Sequence, residues 1–282
     1  MSILDTVNKD DLKNFLSECA SVVQLNEEDL FKSTIEYSKR HDKKKFDDEL
    51  AFPILNLETI WYQSLETGIP NYSVYEDPYY FSEVWLCWSR YSRRYLKDIQ
   101  IDKSLPSNIS IIKDMKNVNT VIDLGCGFGY TTTALKEIFP NANVFGTNIE
   151  GSHQYNLATK LSNKHDFRIV SDYRGIKTDL IFASEYFEHF EEPITHLKDV
   201  ISECNPKYML IANSFGPKAI GHFNYYKHED KNYPAKQMGS MFNRTVRELG
   251  YEKVKTNCWN NRPVYYKRMN DDESYTPSLY NL

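Results

Sequence analysis

Residues 121–129 read Val121-Ile122-Asp123-Leu124-Gly125-Cys126-Gly127-Phe128-Gly129. An apolar strand ends in an acid, three glycines follow on alternate positions, and a helix-forming run begins near Thr131 and reaches Ile138. Glycines at such a bend permit positive φ and let backbone come close to a ligand. The free N–H groups at the start of the helix favour an anion, a carboxylate as readily as a phosphate. Asp123 at the strand end can accept from an ammonium. No Lys-Ser/Thr pair follows the last glycine, so a phosphate-binding P-loop is excluded. The G-x-G-x-G spacing also differs from the dinucleotide fingerprint G-x-G-x-x-G. A ligand with both an ammonium and a carboxylate suits the bend.

These residues resemble the first motif of the class I S-adenosylmethionine-dependent methyltransferases, an apolar strand followed by D-L-G-C-G-x-G. The resemblance implies S-adenosyl-L-methionine as cofactor, its amino-acid end held around Asp123, Gly125, Cys126, Gly127 and Gly129. It continues downstream. Ala142 to Asn148 reads as a second strand, whose end in the family carries an acid for the ribose hydroxyls. Here that position is Asn148, a departure: an amide can bond a hydroxyl without the charge assistance of a carboxylate. Ile149 follows it, and Glu150 can reach the same side. A helix from Ser152 to Ser162 leads to a third strand, Phe167 to Val170. Asp172 beyond it resembles the family's acceptor for the adenine amino group, with Tyr173 or Phe128 flanking the ring; the other reading of Asp172 is a plain strand-to-helix turn.

The fourth strand, Asp179 to Ser184, runs into Ser184-Glu185-Tyr186-Phe187-Glu188-His189-Phe190, which is similar to the family's "D-x-V … L-E-H" segment and adds Ser184 and Glu185 to the cofactor set. Helix Pro193 to Cys204, stopped at Asn205-Pro206, precedes a fifth strand, Tyr208 to Ala212. Tyr251 to Cys258 and Val264 to Lys267 close the sheet. The resemblance spans residues from about 115 to 269. It implies an α/β fold: a seven-stranded Rossmann-like sheet, mostly parallel with an antiparallel last strand, and an N-terminal helical cap. The expected organisation is 1–110 as an aromatic-rich cap, 111–269 as the cofactor-binding domain and 270–282 as a polar tail.

The chain has 282 residues, 41% of them hydrophobic, enough for one large domain or two small ones. A net charge of −5 argues against a uniformly basic nucleic-acid surface. Five cysteines without a C-x-x-C pair speak against a disulfide framework or a zinc cluster, so no metal is expected and a reducing cytoplasm is the simplest setting. Met1 to Asp5 opens no signal peptide, and no run nears about 18 apolar residues, so no membrane span is expected. Oligomeric state is left open.

Before the sheet, helices are expected around Leu12-Phe15-Leu16-Cys19, capped by Asp10 or Asp11, after Asn26, and over Leu55 to Leu65. His41 to Lys45 reads as a solvated helix end. A longer helix from Phe81 to about Ile99 carries Trp85, Trp88, Tyr91 and Tyr95 at three- and four-residue steps beside Arg90, Arg93, Arg94 and Lys97. Two readings stand. The rings form a packing face, or they wall an acceptor pocket with Tyr79, Trp85, Trp88, Arg90 and, from a later loop, Tyr225. Asp77-Pro78-Tyr79-Tyr80 is similar to the D-P-P-Y motif of amino-methylating enzymes but lacks the second proline and precedes the glycine loop; it reads as chance. Candidate bases are Glu185, Glu188, His189 and His222, with Glu188-His189 equally readable as a structural cap. Lys218, Lys227 and His228 in the loop after strand five can meet an anion.

The favoured function is methyl transfer to a small-molecule or nucleotide-sized acceptor. A nucleic-acid base methyltransferase is the alternative, with Trp85 and Trp88 receiving a base. A non-catalytic binder of the cofactor is the third possibility, motivated by Asn148.

Overall fold

The structure, a computed structural model, describes residues 2–101 and 110–269; the expected polar tail lies outside the described residues. Seven strands form one sheet: β1 (Thr120–Leu124), β2 (Asn143–Thr147), β3 (Arg168–Val170), β4 (Leu180–Ser184), β5 (Tyr208–Ala212), β8 (Tyr251–Val254) and β9 (Val264–Arg268). Between β5 and β8 lie a separate two-stranded hairpin, β6 (Tyr225–His228) and β7 (Lys231–Pro234), and helix α10 (Ala235–Glu248). The order across the sheet is β3-β2-β1-β4-β5-β9-β8. The first five strands are mutually parallel, with Asp123 level with Gly146 on one side and Phe182 on the other. β9 inserts antiparallel between β5 and β8, so the antiparallel strand is the last in sequence, as expected.

Strands buried on both faces must be apolar on both, and Val121-Ile122, Leu180 to Ala183 and Tyr208 to Ala212 are. Period two splits them. Val121, Phe182 and Leu210 pack with Leu12, Phe15, Trp85, Phe128 and Leu135, whereas Ile122, Ile181 and Met209 pack with Trp61, Val74, Ile194, Val200 and Phe242. The chain leaves β1 toward β2 and β3, then returns to β4 on the other side. The carboxyl ends of β1 and β4 therefore form the switch point, where open α/β sheets bind ligands.

Helices α7 (Tyr130–Ile138), α8 (His153–His165) and α9 (Pro193–Cys204) connect the strands. α9 starts with proline in its first turn and stops at Asn205 in the left-handed region, as its sequence dictates. α10 was not expected, although Met238, Phe242, Thr245 and Val246 line its buried face. The N-terminal helices are α1 (Lys9–Ala20), α2 (Glu27–His41), α3 (Asp48–Glu66), α4 (Tyr80–Cys87), α5 (Arg93–Asp98) and the short α6 (Ile111–Asp114). The cap of α1 is Asn8 rather than Asp10 or Asp11. Asn8 Oδ1 accepts from the Asp11 N–H at 2.9 Å while the Asp11 carboxylate accepts from the Asn8 N–H at 2.8 Å, a closed capping box. The single long helix expected over 81–99 is broken by a wide π turn at Trp88–Ser92 between α4 and α5. Such an extra-residue turn recurs at functional sites.

The N-terminal layer is laced to the segment after β5. Trp61, fully buried on α3, donates its indole N–H to the His222 carbonyl at 2.7 Å. The Tyr62 hydroxyl accepts from the Ala219 N–H at 3.1 Å and donates to the Ala219 carbonyl at 3.2 Å. Among the described residues no helix is long and apolar enough to cross a membrane. Trp61→Phe strands the His222 carbonyl and thins the packing; an expected loss of about 1–3 kcal/mol should show in urea denaturation, and unchanged stability would contradict this anchoring role.

Candidate active site

The glycine bend after β1 has all three glycines at positive φ: Gly125 at 64°, Gly127 at 55° and Gly129 at 87°. Each is crowded where a side chain would begin. A Cβ on Gly125 would stand 2.4 Å from the Tyr186 ring, one on Gly127 2.9 Å from Val84 Cγ1, and one on Gly129 3.2 Å from Phe167. Gly129 is the N-cap of α7 and packs on α8 rather than facing a ligand. The Gly125 N–H donates to Thr147 Oγ1 at 3.0 Å, Cys126 to the Thr147 carbonyl at 3.0 Å and Gly129 to the Cys126 carbonyl at 2.9 Å. Among the described residues, this leaves the amides of Gly127, Phe128 and the first turn of α7 as donors for a carboxylate.

Asp123 is buried beneath that turn and accepts from Thr131 Oγ1 and, at 2.7 Å, from Thr132 Oγ1. Burial pushes its carboxyl up to about 7 against the pull of those hydroxyls. Asn148, expected at the ribose, is committed to the loop. Its Nδ2 donates to the Gly127 carbonyl at 2.8 Å and its Oδ1 accepts from the Ile149 N–H at 2.9 Å. The side chain of Ile149 is exposed. Asp172 lies at the surface beside Arg174, which holds its carboxyl below the usual range through the Arg174 N–H and guanidinium. Tyr173 is buried and donates to Asp199 at 2.6 Å, so its ring is not presented to a ligand.

A cavity of about 720 Å³ opens from the bend toward the N-terminal helices. Asp123, Gly125, Cys126, Gly127, Ser184 and Glu185 of the expected cofactor set line it, as do His189 and His222; Asn148, Ile149, Asp172, Tyr173 and Gly129 do not. Of the residues expected at the acceptor, Trp88 lines it, stacked on Tyr130 with ring centroids 5.7 Å apart, and so do Lys218 and His222 of the loop after β5. Trp85 is core, stacked on Phe15 at 5.1 Å. Arg90 is paired with Asp42, Tyr225 is exposed on β6, and Tyr79 packs between the two cores. The wall instead includes Tyr37, Arg40, His41, Glu58, Glu83, Cys87 and Tyr91, none of which the sequence reading assigned to an acceptor pocket except as part of the aromatic helix. His41 is thus not a solvated end: its Nδ1 lies 3.2 Å from the Tyr91 hydroxyl. Glu58 accepts from Tyr37 at 2.8 Å and from Arg40 at 2.6 Å. Burial lifts the Glu83 carboxyl to about 7, with Tyr37 and Arg40 opposing and Glu58 adding.

Beyond β4, Glu185 sits at φ 51°, a conformation that a non-glycine residue holds only under constraint. Its carboxyl is raised well above the usual range by burial and then by the neighbouring Glu188. Glu188 is fully buried, with Oε1 accepting from the Ser214 N–H and Oε2 unpartnered. His189 lies 3.0 Å from the Tyr75 hydroxyl, and burial followed by His222 lowers it to about 3. His222 is lowered by burial, against Glu188. Both imidazoles are neutral at pH 7. Glu185, Glu188 and His222 bring one donor atom each within 4.8 Å of one another.

A protein-family model described as a methyltransferase domain matches residues 93–245, more than half of the chain. The chain belongs to this methyltransferase family. The match runs from α5 through the glycine bend and the β6–β7 hairpin into α10. Two curated relatives are malonyl-[acyl-carrier protein] O-methyltransferases. That of Halalkalibacterium halodurans is 25% identical over 129 residues, 42% of this chain and 46% of that one. That of Ilyobacter polytropus is 24% identical over 135 residues, 46% of this chain and 52% of that one. The matches thus span about half the length of each relative. Among solved structures, the mitomycin 7-O-methyltransferase MmcR is 12% identical with a TM-score of 0.46, covering 69% of this chain and 59% of that one. S-adenosylmethionine, the cofactor this methyltransferase family implies, fits the residues present at its amino-acid end: a turn with spare amides stands over a buried carboxylate open to the cavity.

Between about pH 4.5 and 7 the folded methyltransferase holds a proton on Glu83 that the unfolded chain releases. Folded-state stability from this group is therefore present at low pH and lost as pH rises through about 7. Glu83→Gln should flatten that slope and stabilise the protein at pH 8 by up to roughly 3 kcal/mol. Denaturation midpoints at pH 5 and pH 8 check it; an equal slope in both proteins counts against a buried Glu83 carboxyl.

Proposed function

We propose that this methyltransferase moves a methyl group from S-adenosylmethionine to a small acceptor held in the cavity between residues 1–110, acting as a cap, and the sheet carried by 111–269. The observation that supports this reading is one continuous cavity shared by Gly125 to Gly127 and by the cap residues Tyr80, Glu83, Cys87, Trp88 and Tyr91. Its volume, about 720 Å³, suits a small molecule.

The cofactor supplies an already activated methyl group, so the chain's main contribution is alignment and exclusion of water. The amides of Gly127 and the α7 start hold a carboxylate, and Asp123, raised to about 7 when alone, returns to its ionised form beside an ammonium. Trp88, Tyr91 and Tyr80 close the acceptor side. Neutral His222 stands at the wall to take a proton from an acceptor hydroxyl or ammonium, with Glu185 beside it and Glu188 buried behind. The wall sets Glu58, Glu83 and Glu185 beside Arg40, Lys218 and Arg262, so its charges alone select neither an anionic nor a cationic acceptor. The buried Trp85 and the Asp42-paired Arg90 give no support to a base-receiving surface.

Calorimetric titration with S-adenosylhomocysteine tests the reading: saturable one-to-one binding is expected. Gly127→Arg should weaken it by more than about 100-fold, with circular dichroism unchanged, because the side chain must displace Val84 and enter the turn. Absence of binding by the unmutated protein would overturn the proposal.

A further inference from the structure

We infer that Glu185, Glu188 and His222 form a binding site for a divalent transition-metal cation such as Mn²⁺ or Zn²⁺. Their donor atoms lie within 4.8 Å of one another, on segments that follow β4 and β5 and meet only in the fold. Donor atoms around one such ion stand about 3 to 4 Å apart, so small side-chain rotations close the set. The decisive atom is Glu188 Oε2: it belongs to a residue with no solvent exposure, and apart from the facing Glu185 carboxyl it meets no hydrogen-bond donor. A buried carboxylate oxygen left unpaired is costly unless something positive meets it.

The surroundings are those of oriented ligands. The Pro217 carbonyl can only accept, so the 2.9 Å contact with His222 Nδ1 places the ring proton there and leaves Nε2 with a free lone pair. Metal-binding imidazoles are commonly fixed by a hydrogen bond of this kind at the other nitrogen. The Ser214 N–H fixes Glu188 through Oε1 in the same way, leaving Oε2 for an ion. Glu185 is held at positive φ by its place at the end of β4, where its N–H donates to the Ala212 carbonyl at 2.9 Å. The Arg262 guanidinium stands 3.9 Å from Glu185, too far for a hydrogen bond, and does not neutralise two carboxylates. A proton shared between Glu185 and Glu188 would relieve their repulsion but would not use the oriented His222. Two carboxylates and one imidazole suit a borderline divalent ion better than Ca²⁺. Three protein donors leave coordination positions open, and Glu185 and His222 both line the cavity. On the function proposed above, those positions face the acceptor, and the ion would select acceptors with an oxygen to offer and acidify a bound hydroxyl.

The test is titration of metal-free full-length protein with Mn²⁺, followed by the loss of the free-ion electron paramagnetic resonance signal. One saturable site per chain is expected. Glu188→Gln, which keeps an oxygen for Ser214, and His222→Ala should each weaken it at least about tenfold, while S-adenosylhomocysteine affinity holds and circular dichroism shows each variant folded. If one variant fails to fold, the other and Glu185→Gln carry the same reading. No saturable Mn²⁺ uptake, or uptake unchanged in the folded variants, overturns the inference. Cofactor binding without Mn²⁺ uptake would sink this site alone; Mn²⁺ uptake without cofactor binding would keep the site and sink the methyl-transfer reading.

Discussion

The helical layer meets the cofactor turn where Val84 of α4 seats against Gly127. A single Cβ at Gly127 would already come within 2.9 Å of Val84. Phe81 adds an edge-on contact with Phe128 at 5.2 Å. α4 therefore rests on the backbone of the turn itself, which sets Glu83, Val84 and Cys87 against the cavity. The alternating glycines have two jobs here: positive φ in the turn, and a surface flat enough for a helix to lie on. Asn148 secures the turn from below through the Gly127 carbonyl. The amide that departs from the family's acid is thus a structural brace, and it stabilises the loop without offering a charge to the ribose.

The sheet was legible because its evidence is local. Apolar runs of five residues, glycine at one bend, proline at the start of α9 and Asn205 at its end each act within a few positions. The strand order then follows from connection lengths and the single closing hairpin. The cap was legible only as helices. The π turn at Trp88–Ser92 shifts the phase of Tyr91 and Tyr95 relative to Trp85, so uniform helical spacing over 81–99 could not place all four rings. α10 escaped notice although its apolar positions carry helical spacing.

The cavity's charged wall was the least legible part. Arg40, Glu58 and Glu83 come from three helices, and nothing in their local sequence pairs them. One signal was available: Glu83 is the charged residue in the run Phe81 to Cys87, and an acid on a buried helix face needs a partner or a purpose. The cluster of Glu185, Glu188 and His222 has the same character. Each residue was singled out as a possible base, yet their mutual approach depends on the loop after β5 folding back over β4.

Trp61 gives that fold-back a mechanical meaning. Its indole grips the carbonyl of His222, and the Tyr62 hydroxyl grips Ala219 from both sides. An outward swing of α3 wide enough to admit a guest must release those grips and free the segment that carries the imidazole. The position of the His222 imidazole therefore depends on α3 keeping its place against that segment.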